Sequence, residues 1–304
     1  MGLALVGLLA AAWTAALQEP VFRAEVAVVR LDVQVTEGGR TVRGLTERDF
    51  VVRDEGVPQR ILHFAHEEEP LDVLLLLDVS GSMRRLVEQV AAAARRAVRP
   101  LRPADRVGVM FFSRRAAIAL ELTEDRGAFE RVLQQALRPP DLGSGTAINA
   151  SILAAAAYIG EEGRRGRRAI LIVTDNEGLN YQMPDEEVVR ALWGADCVLN
   201  AAVTGNAARP QPPPAGVPLN PDFTPSDVFR LAAETGGEAL RAGAAGEAFA
   251  RLLERLRTRY SLHYRAPEAA RGSFRRIEVD LTAEARRRHP GAVVLVRRGY
   301  YTAP

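Results

Sequence analysis

Small side chains that carry oxygen atoms cluster directly after an apolar stretch of the chain. The segment LDVLLLLDVSGSMRR places Asp78, Ser80 and Ser82 behind an almost continuous apolar run. Thr146 follows the sequence GSG before a predicted helix, and Asp175 ends another apolar run, AILIVTD. Carboxylate and hydroxyl oxygens of this kind either ligate a hard divalent cation or cap the helix that follows. These residues are the candidate site.

The pattern of the surrounding chain predicts how the candidate residues are positioned. Between residues 71 and 257, strand-like apolar runs alternate with stretches in which apolar residues recur at helical spacing. This alternation predicts an α/β fold with a doubly wound, mostly parallel sheet covered by helices on both faces. The carboxyl ends of parallel strands meet at one edge of such a sheet, so the strand-to-helix junctions are expected to converge there.

The donor set indicates the kind of metal that this edge would bind. Two carboxylates and three hydroxyls are hard oxygen ligands, which suit Mg²⁺, and Mn²⁺ nearly as well. Because hydroxyls add no charge, the cation would stay electrophilic. A carboxylate from a partner would then complete its coordination shell.

The same residues resemble a known metal site. The motif DVSGS, the threonine before a helix and the later strand-ending aspartate are similar to the metal-ion-dependent adhesion site of von Willebrand factor type A domains. The similarity in strand and helix order covers about residues 71–257. The resemblance implies metal binding by the hydroxyls directly and by the aspartates directly or through water. The implied ligands are Asp78, Ser80, Ser82, Thr146 and Asp175. It also implies a protein partner that presents an Asp or Glu.

One position departs from the family pattern. Many relatives have Asp-Gly at the last aspartate, whereas this chain has Asp175-Asn176 followed by Glu177. Asparagine tolerates unusual backbone angles better than most residues, but the loop is open to a different course. The carboxylate of Glu177 would compete for the metal if the loop brings it close to the site.

Strand patterns flank the α/β region on both sides. They cover residues 21–66, with Gly38-Gly39 and DEGVP as turns, and residues 259–304. The two segments either form separate small domains or meet as one β-sandwich with the α/β region, residues 71–257, inserted. We favour the sandwich because three or four strands alone bury little apolar surface. The stretches VRGLTERDFVVRDEGVPQRI and VRRGYY resemble bacterial exported proteins in which this domain sits between β segments.

The start of the chain has the character of an export signal. Residues 1–18 contain no charged side chain and a core that is short for a membrane span. We therefore expect an exported protein, periplasmic or extracellular, with no transmembrane helix in the mature chain. Cys197 is the only cysteine, so no disulfide framework is available, and a buried hydrophobic role is expected for it.

Composition argues against a nucleic-acid partner. All basic residues among the 304 are arginines, and the formal net charge is only +2, with acids and bases interspersed. The densest basic run, RRGRR at residues 164–168, lies between a predicted helix and a strand. We interpret it as a solvated turn rather than a nucleic-acid patch.

Enzyme motifs do not match the chain. The stretch DVSGSM lacks the first glycine of the G-x-S-x-G elbow, and GSGTAIN lacks the lysine of a phosphate-binding loop. The histidines fall in the β segments or the linker, so none is placed as a base for the serines; they are His63, His66, His263 and His289. We predict a non-enzymatic, metal-dependent binding protein with no catalytic residue. The alternatives are a scaffold with a vestigial site and a metal-assisted hydrolase.

Overall fold

The computed structural model describes residues 28–66, 69–99, 101–164, 166–180, 183–204, 224–241 and 245–302. The predicted export signal and the proline-rich stretch ARPQPPPAGVPLNPDF lie outside the described residues. The strands are β1 (Val28–Glu37), β2 (Arg40–Thr41), β3 (Phe50–Asp54), β4 (Val57–Gln59), β5 (Ile61–His66), β6 (Leu71–Asp78), β7 (Arg106–Phe112), β8 (Ala116–Thr123), β9 (Arg167–Thr174), β10 (Leu179–Asn180), β11 (Cys197–Val203), β12 (Thr224–Pro225), β13 (Ala239–Arg241), β14 (Tyr260–Arg265), β15 (Phe274–Leu281), β16 (Ala292–Leu295) and β17 (Gly299–Tyr301). The helices are α1 (Val87–Ala97), α2 (Arg126–Gln135), α3 (Ile148–Glu162), α4 (Asp185–Gly194), α5 (Val228–Glu234), α6 (Ala245–Arg257) and α7 (Ala283–Arg288).

A six-stranded sheet forms the centre of the molecule. Its strand order is β13-β11-β9-β6-β7-β8, and every pair is parallel except β7 with the edge strand β8. All residues of β6 are buried, as expected for an inner strand covered on both faces. The predicted α/β class, with a mostly parallel sheet, is confirmed.

Helices cover both faces of this sheet. Alternate residues of β6 point to opposite sides: Leu75 and Leu77 pack with α1, α2 and α6, whereas Leu74 and Leu76 pack with α3, α4 and α5. The period of two along the strand therefore divides one apolar run between two cores. None of the helices in the described part of the chain has both the length and the apolar character needed to span a bilayer.

Strands from both ends of the chain form a β-sandwich. One sheet has the order β16-β1-β14-β5 with β2 beside β1, and the other has the order β17-β15-β3-β4. Their facing side chains form a separate core that includes Leu31, Phe50 and Tyr260. The predicted sandwich is confirmed as part of the fold class, because β1 pairs with β14 and β3 pairs with β15. The domain limits given above stay predictions.

The basic run at residues 164–168 is a solvated turn only in part, because Arg164 is exposed whereas Arg167 and Arg168 already belong to β9. Arg167 is 2% exposed and donates hydrogen bonds to the carbonyl oxygens of Leu256, Arg257 and Arg259. The last carbonyls of a helix lack partners within it and carry partial negative charge. The guanidinium is buried because it satisfies these groups at the end of α6.

Two local elements differ from the sequence prediction. A 3-10 turn occupies Ser82–Arg85 and α1 begins only at Val87, although apolar residues at helical spacing already begin at Met83. The helix α7 was not predicted. The side chain of Thr282 accepts a hydrogen bond from the Ala285 amide at its start, so the cap rather than apolar periodicity identifies it.

Candidate metal centre

Asp78 lies at the carboxyl end of β6 and is completely buried. Its Oδ1 accepts a hydrogen bond from the Ser80 amide at 2.9 Å, and its Oδ2 accepts one from the Thr174 hydroxyl at 2.7 Å. Both oxygens therefore already have a donor. The remaining lone pairs can face a cation directly or through water.

The two serines lie on the turn that follows β6. Ser80 is buried, Ser82 is exposed, and their hydroxyl oxygens are 3.2 Å apart. Neither serine caps a helix, because the N-cap positions are Gly81 for the 3-10 turn and Leu86 for α1, without a side-chain cap bond. The capping interpretation therefore leaves both hydroxyls unexplained.

Asp175 directly follows β9 and is buried. Its Oδ1 accepts a hydrogen bond from the Glu177 amide at 3.0 Å, which leaves Oδ2 for another ligand. Asn176 takes the left-handed backbone conformation, with φ at 59°, which asparagine tolerates better than most residues. The side chain of Glu177 is exposed.

Thr146 lies two residues before α3 and is half-buried. A Cβ atom on Gly178, in the loop after β9, would come within 3.0 Å of the Thr146 carbonyl oxygen. The Ala147 amide donates to the carbonyl of Ser113 at the end of β7, at 2.8 Å. These contacts hold the Thr146 segment at the same edge of the sheet as the β9 loop. Thr146 does not cap α3, whose N-cap is Ala147.

The electrostatics of Asp78 are those of a buried anion. Burial raises its pKa to about 6, and the nearby charge of Asp175 acts in the same direction. Hydrogen bonds from Ser80 and Thr174 oppose the shift. The strongest influences on this carboxyl are burial, its hydroxyl and amide donors and Asp175, and none of these is a cationic side chain. A bound cation would supply the missing positive charge.

The donor set fits a hard divalent cation. Neighbouring ligands of octahedral Mg²⁺ are about 3 Å apart for metal–oxygen distances near 2.1 Å, close to the spacing of the two serine hydroxyls. Within the described residues, no three His, Cys, Asp or Glu side chains form a metal-holding group. The candidate set differs in kind, because it combines two carboxylates with three hydroxyls.

Thr174 is a site residue that sequence reasoning missed. The sequence pattern identifies the neighbouring Asp175 but assigns no role to the Thr174 hydroxyl. This hydroxyl also accepts a hydrogen bond from the Asn176 amide at 3.1 Å, so it links the β9 loop to Asp78. A hydroxyl residue at the last position of a buried strand was the available signal.

The residues considered for other chemistry lie elsewhere. His63 and His66 are in β5, His263 is in β14, and His289 follows α7, so all four histidines belong to the sandwich strands or their connections. Cys197 is buried in β11, and burial raises the pKa of its thiol. The expectation of a buried hydrophobic role for this cysteine agrees with its position.

Sequence comparison now defines the class of protein. Residues 73–178 match the model of the von Willebrand factor type A domain. The matched stretch contains all five candidate ligands and spans the chain from β6 to the loop after β9. The chain therefore contains a von Willebrand factor type A domain in this stretch. No curated protein matches the chain.

Solved structures of several proteins are similar to this chain. BatB from Bacteroides thetaiotaomicron has 20% identity and a TM-score of 0.47, over 61% of this chain and 97% of that chain. A von Willebrand factor type A protein from Catenulispora acidiphila has 12% identity and a TM-score of 0.48, over 93% of this chain and 75% of that chain. Proximal thread matrix protein 1 from the mussel byssus has 16% identity and a TM-score of 0.45, over 63% of this chain and 48% of that chain. Its structure has a zinc-occupied MIDAS (metal-ion-dependent adhesion site) motif. At such low identities the likeness says nothing of ligand or partner.

Proposed function

We propose that this chain is a metal-dependent protein-binding module that holds Mg²⁺ or Mn²⁺ and binds the carboxylate of an acidic residue of a partner. The hydroxyls of Ser80, Ser82 and Thr146 would bind the ion directly. Asp78 and Asp175 would bind it directly or through water. In this proposal the protein binds rather than catalyses, and it acts outside the cytoplasm after export.

The single observation that carries the proposal is the buried Asp78 beside Asp175. Two carboxylates at one buried sheet edge repel each other, and the hydrogen bonds to Asp78 that oppose this repulsion come from uncharged hydroxyl and amide donors. A divalent cation offsets the charge of both. Because the other ligands are neutral, the bound ion keeps its affinity for one more anionic oxygen.

The side of the site that opens to solvent supports an external ligand. Gly81 and Ser82 are exposed, whereas Asp78, Ser80 and Asp175 are buried beneath them. A carboxylate from outside would therefore approach over the turn after β6. A partner's Asp or Glu supplies this group at little steric cost.

Metal and peptide titrations test the proposal. We expect Mg²⁺ or Mn²⁺ to raise the melting temperature of the full chain, with the shift lost in Asp78→Asn and retained in Glu88→Gln, whose side chain is exposed. The apo form of Asp78→Asn should remain folded, because the substitution removes a buried charge. We further expect Mn²⁺-loaded protein to bind the blocked peptide Gly-Gly-Asp-Gly-Gly better than its asparagine counterpart, as read by proton relaxation of Mn²⁺-bound water.

Two results would contradict the proposal. If neither metal shifts the melting temperature, the site is vestigial and the chain is a scaffold. If metal binds but the aspartate and asparagine peptides bind with equal affinity, the proposed binding of a partner carboxylate is wrong.

A further inference from the structure

A cavity of about 700 Å³ adjoins the candidate metal centre. One wall is the turn after β6, including Ser80, Gly81 and Arg84, and the other is the connection between α2 and α3, residues 136–145. Ser80 is thus both a candidate ligand of the metal centre and a lining residue of this cavity. The connection also ends at Thr146, so both walls lead to candidate ligands. We call this cavity the acidic-segment groove.

Apolar side chains form part of the floor and part of the rim of the groove, whose remaining surface is mostly polar. Val79, Val87 and Leu142 are buried along it, whereas Leu137 is 53% exposed and Pro139 and Pro140 beside it are exposed. When a partner covers an exposed leucine, the burial of its apolar surface lowers the free energy of the complex. The rim at Leu137, Pro139 and Pro140 therefore suits a large apolar side chain.

The wall formed by residues 136–145 is held in place before any partner arrives. The Arg115 amide donates to the Leu142 carbonyl at 3.0 Å, and the Ser113 hydroxyl donates to the Gly143 carbonyl at 2.9 Å. Gly143 has φ at 85°, where a side chain would be strained. Little conformational entropy is lost on binding to a wall that is already fixed.

Arg84 gives the groove one free cation. It is exposed, and among the described residues it has no ion pair or hydrogen bond. Across the groove, Asp141 uses Oδ1 to accept the Gly143 amide at 2.9 Å. A carboxylate on the Arg84 side of the groove would contact a guanidinium group whose N–H donors are all available.

We propose that the acidic-segment groove selects partners that present an extended acidic segment with a large apolar residue beside the metal-bound Asp or Glu. The apolar side chain packs against Leu137, Pro139 and Pro140, and a second carboxylate of the segment pairs with Arg84. This inference rests on the proposed function of the metal centre and deepens it, because it names the residues around the gripped carboxylate.

Defined peptides test the inference with the full, Mn²⁺-loaded chain. The reference is blocked Gly-Asp-Leu-Gly-Glu-Gly, with three counterparts in which glycine replaces leucine, glutamine replaces glutamate, or asparagine replaces aspartate. Affinities are read by competition against a fluorescent reference peptide. We expect loss of the leucine to weaken binding about tenfold, and loss of the glutamate about threefold.

Matched variants locate the effects on the chain. Leu137→Ala should abolish the preference for leucine, whereas Leu62→Ala, which changes an equally exposed leucine (54%) in β5, should leave it intact. Arg84→Gln should abolish the preference for glutamate, whereas the exposed neighbour Arg85→Gln should not. Each pair compares the same chemical change inside and outside the groove.

The outcomes separate this inference from the proposed function. If the aspartate peptide binds with metal but the leucine and glutamate preferences are absent, or survive in Leu137→Ala and Arg84→Gln, the groove assignment is wrong and the metal-centre proposal stands. If no peptide binds the Mn²⁺-loaded chain, both are wrong.

Discussion

At the scale of single residues, the centre depends on how a buried carboxylate is supported. Asp78 accepts hydrogen bonds from one amide and one hydroxyl, and the charged group that acts on it is Asp175. The Thr174 hydroxyl both donates to Asp78 and accepts from the Asn176 amide. Thr174 therefore couples the two aspartates although it is not a candidate ligand. Its hydroxyl holds the Asp78 carboxylate in one orientation.

We expect Thr174→Val to destabilise the protein by about 1–3 kcal/mol, because the isosteric change removes a hydrogen bond to a buried carboxylate. The Mg²⁺-induced rise in melting temperature should also shrink. Urea unfolding with and without Mg²⁺ measures both effects.

The control for this prediction is Thr174→Ser, which keeps the hydroxyl and should retain most of the stability and the metal response. Equal stability of the valine and wild-type proteins would show that the 2.7 Å contact contributes nothing.

At the scale of elements, the site depends on a close approach between the loop after β9 and the start of α3. Gly178 lies where a Cβ atom would come within 2.8 Å of the Ile148 side chain and 3.0 Å of the Thr146 carbonyl. The absence of a side chain therefore sets the distance between the Asp175 loop and the Thr146 segment. The positions of the strand ends alone would not fix this distance, because Thr146 belongs to a helix connection rather than to a strand.

We expect Gly178→Ala to push these two segments apart and to cost about 1–3 kcal/mol of stability through overpacking. Metal binding should weaken as well, since ligands on both segments move. Urea unfolding and calorimetric Mn²⁺ titration measure the two effects.

The matched control is Gly81→Ala, in the turn after β6. Its backbone is right-handed helical, with φ at −59°, and an added Cβ would meet nothing within 4 Å. Equal effects of the two substitutions on unfolding would mean that the approach at Gly178 is not tight.

At the scale of the whole molecule, the sandwich joins the amino end of the central sheet, opposite the metal centre. The carbonyl of Glu69, just before β6, accepts hydrogen bonds from Arg167 and Arg257, at 3.2 and 2.8 Å. Its side chain accepts one from the Ser261 hydroxyl in β14, at 2.9 Å. Because β6 has 8 residues, the junction lies about 26 Å from Asp78. A partner at the proposed metal centre would therefore approach the molecule from the end away from the sandwich.

Glu69 makes this junction sensitive to acid. The His263 imidazole, 3.5 Å away, and the Ser261 hydroxyl lower the pKa of Glu69 from 4.5 to about 2. The ionised carboxylate therefore stabilises the fold fully above pH 4.5, and this contribution is lost as the pH falls toward 2. Since the side chain is partly exposed to solvent, we expect its ionised carboxylate to contribute about 1–2 kcal/mol to the free energy of unfolding.

Urea unfolding of wild type and Glu69→Gln between pH 7 and pH 2.5 tests this prediction. The difference in free energy of unfolding should be largest at pH 7 and should narrow as the pH falls. The exposed Glu88→Gln serves as the control and should show a small, nearly constant difference. A constant difference for Glu69→Gln as well would contradict the prediction.

Much of the fold was predictable because local patterns determine it. The alternation of strands and helices, and the fully apolar β6, define a parallel sheet whose carboxyl edge carries Asp78 and Asp175. Arg167 shows where such patterns fail. Its run of charges is typical of a solvated turn, but the carbonyl groups that bury it belong to α6 and the residues just after it, 89 to 92 residues further along the chain. No local pattern reports such a partner.

The sequence by itself determined the sheet type, the five oxygen donors and the junctions that carry them, because periodicity and residue chemistry are local properties. Only the tertiary structure decided that Thr174 supports Asp78 across 96 residues, that Gly178 sets the approach of Thr146, and that a groove adjoins the centre. These features depend on strand register and on packing between distant segments. Both arise when the chain folds as a whole.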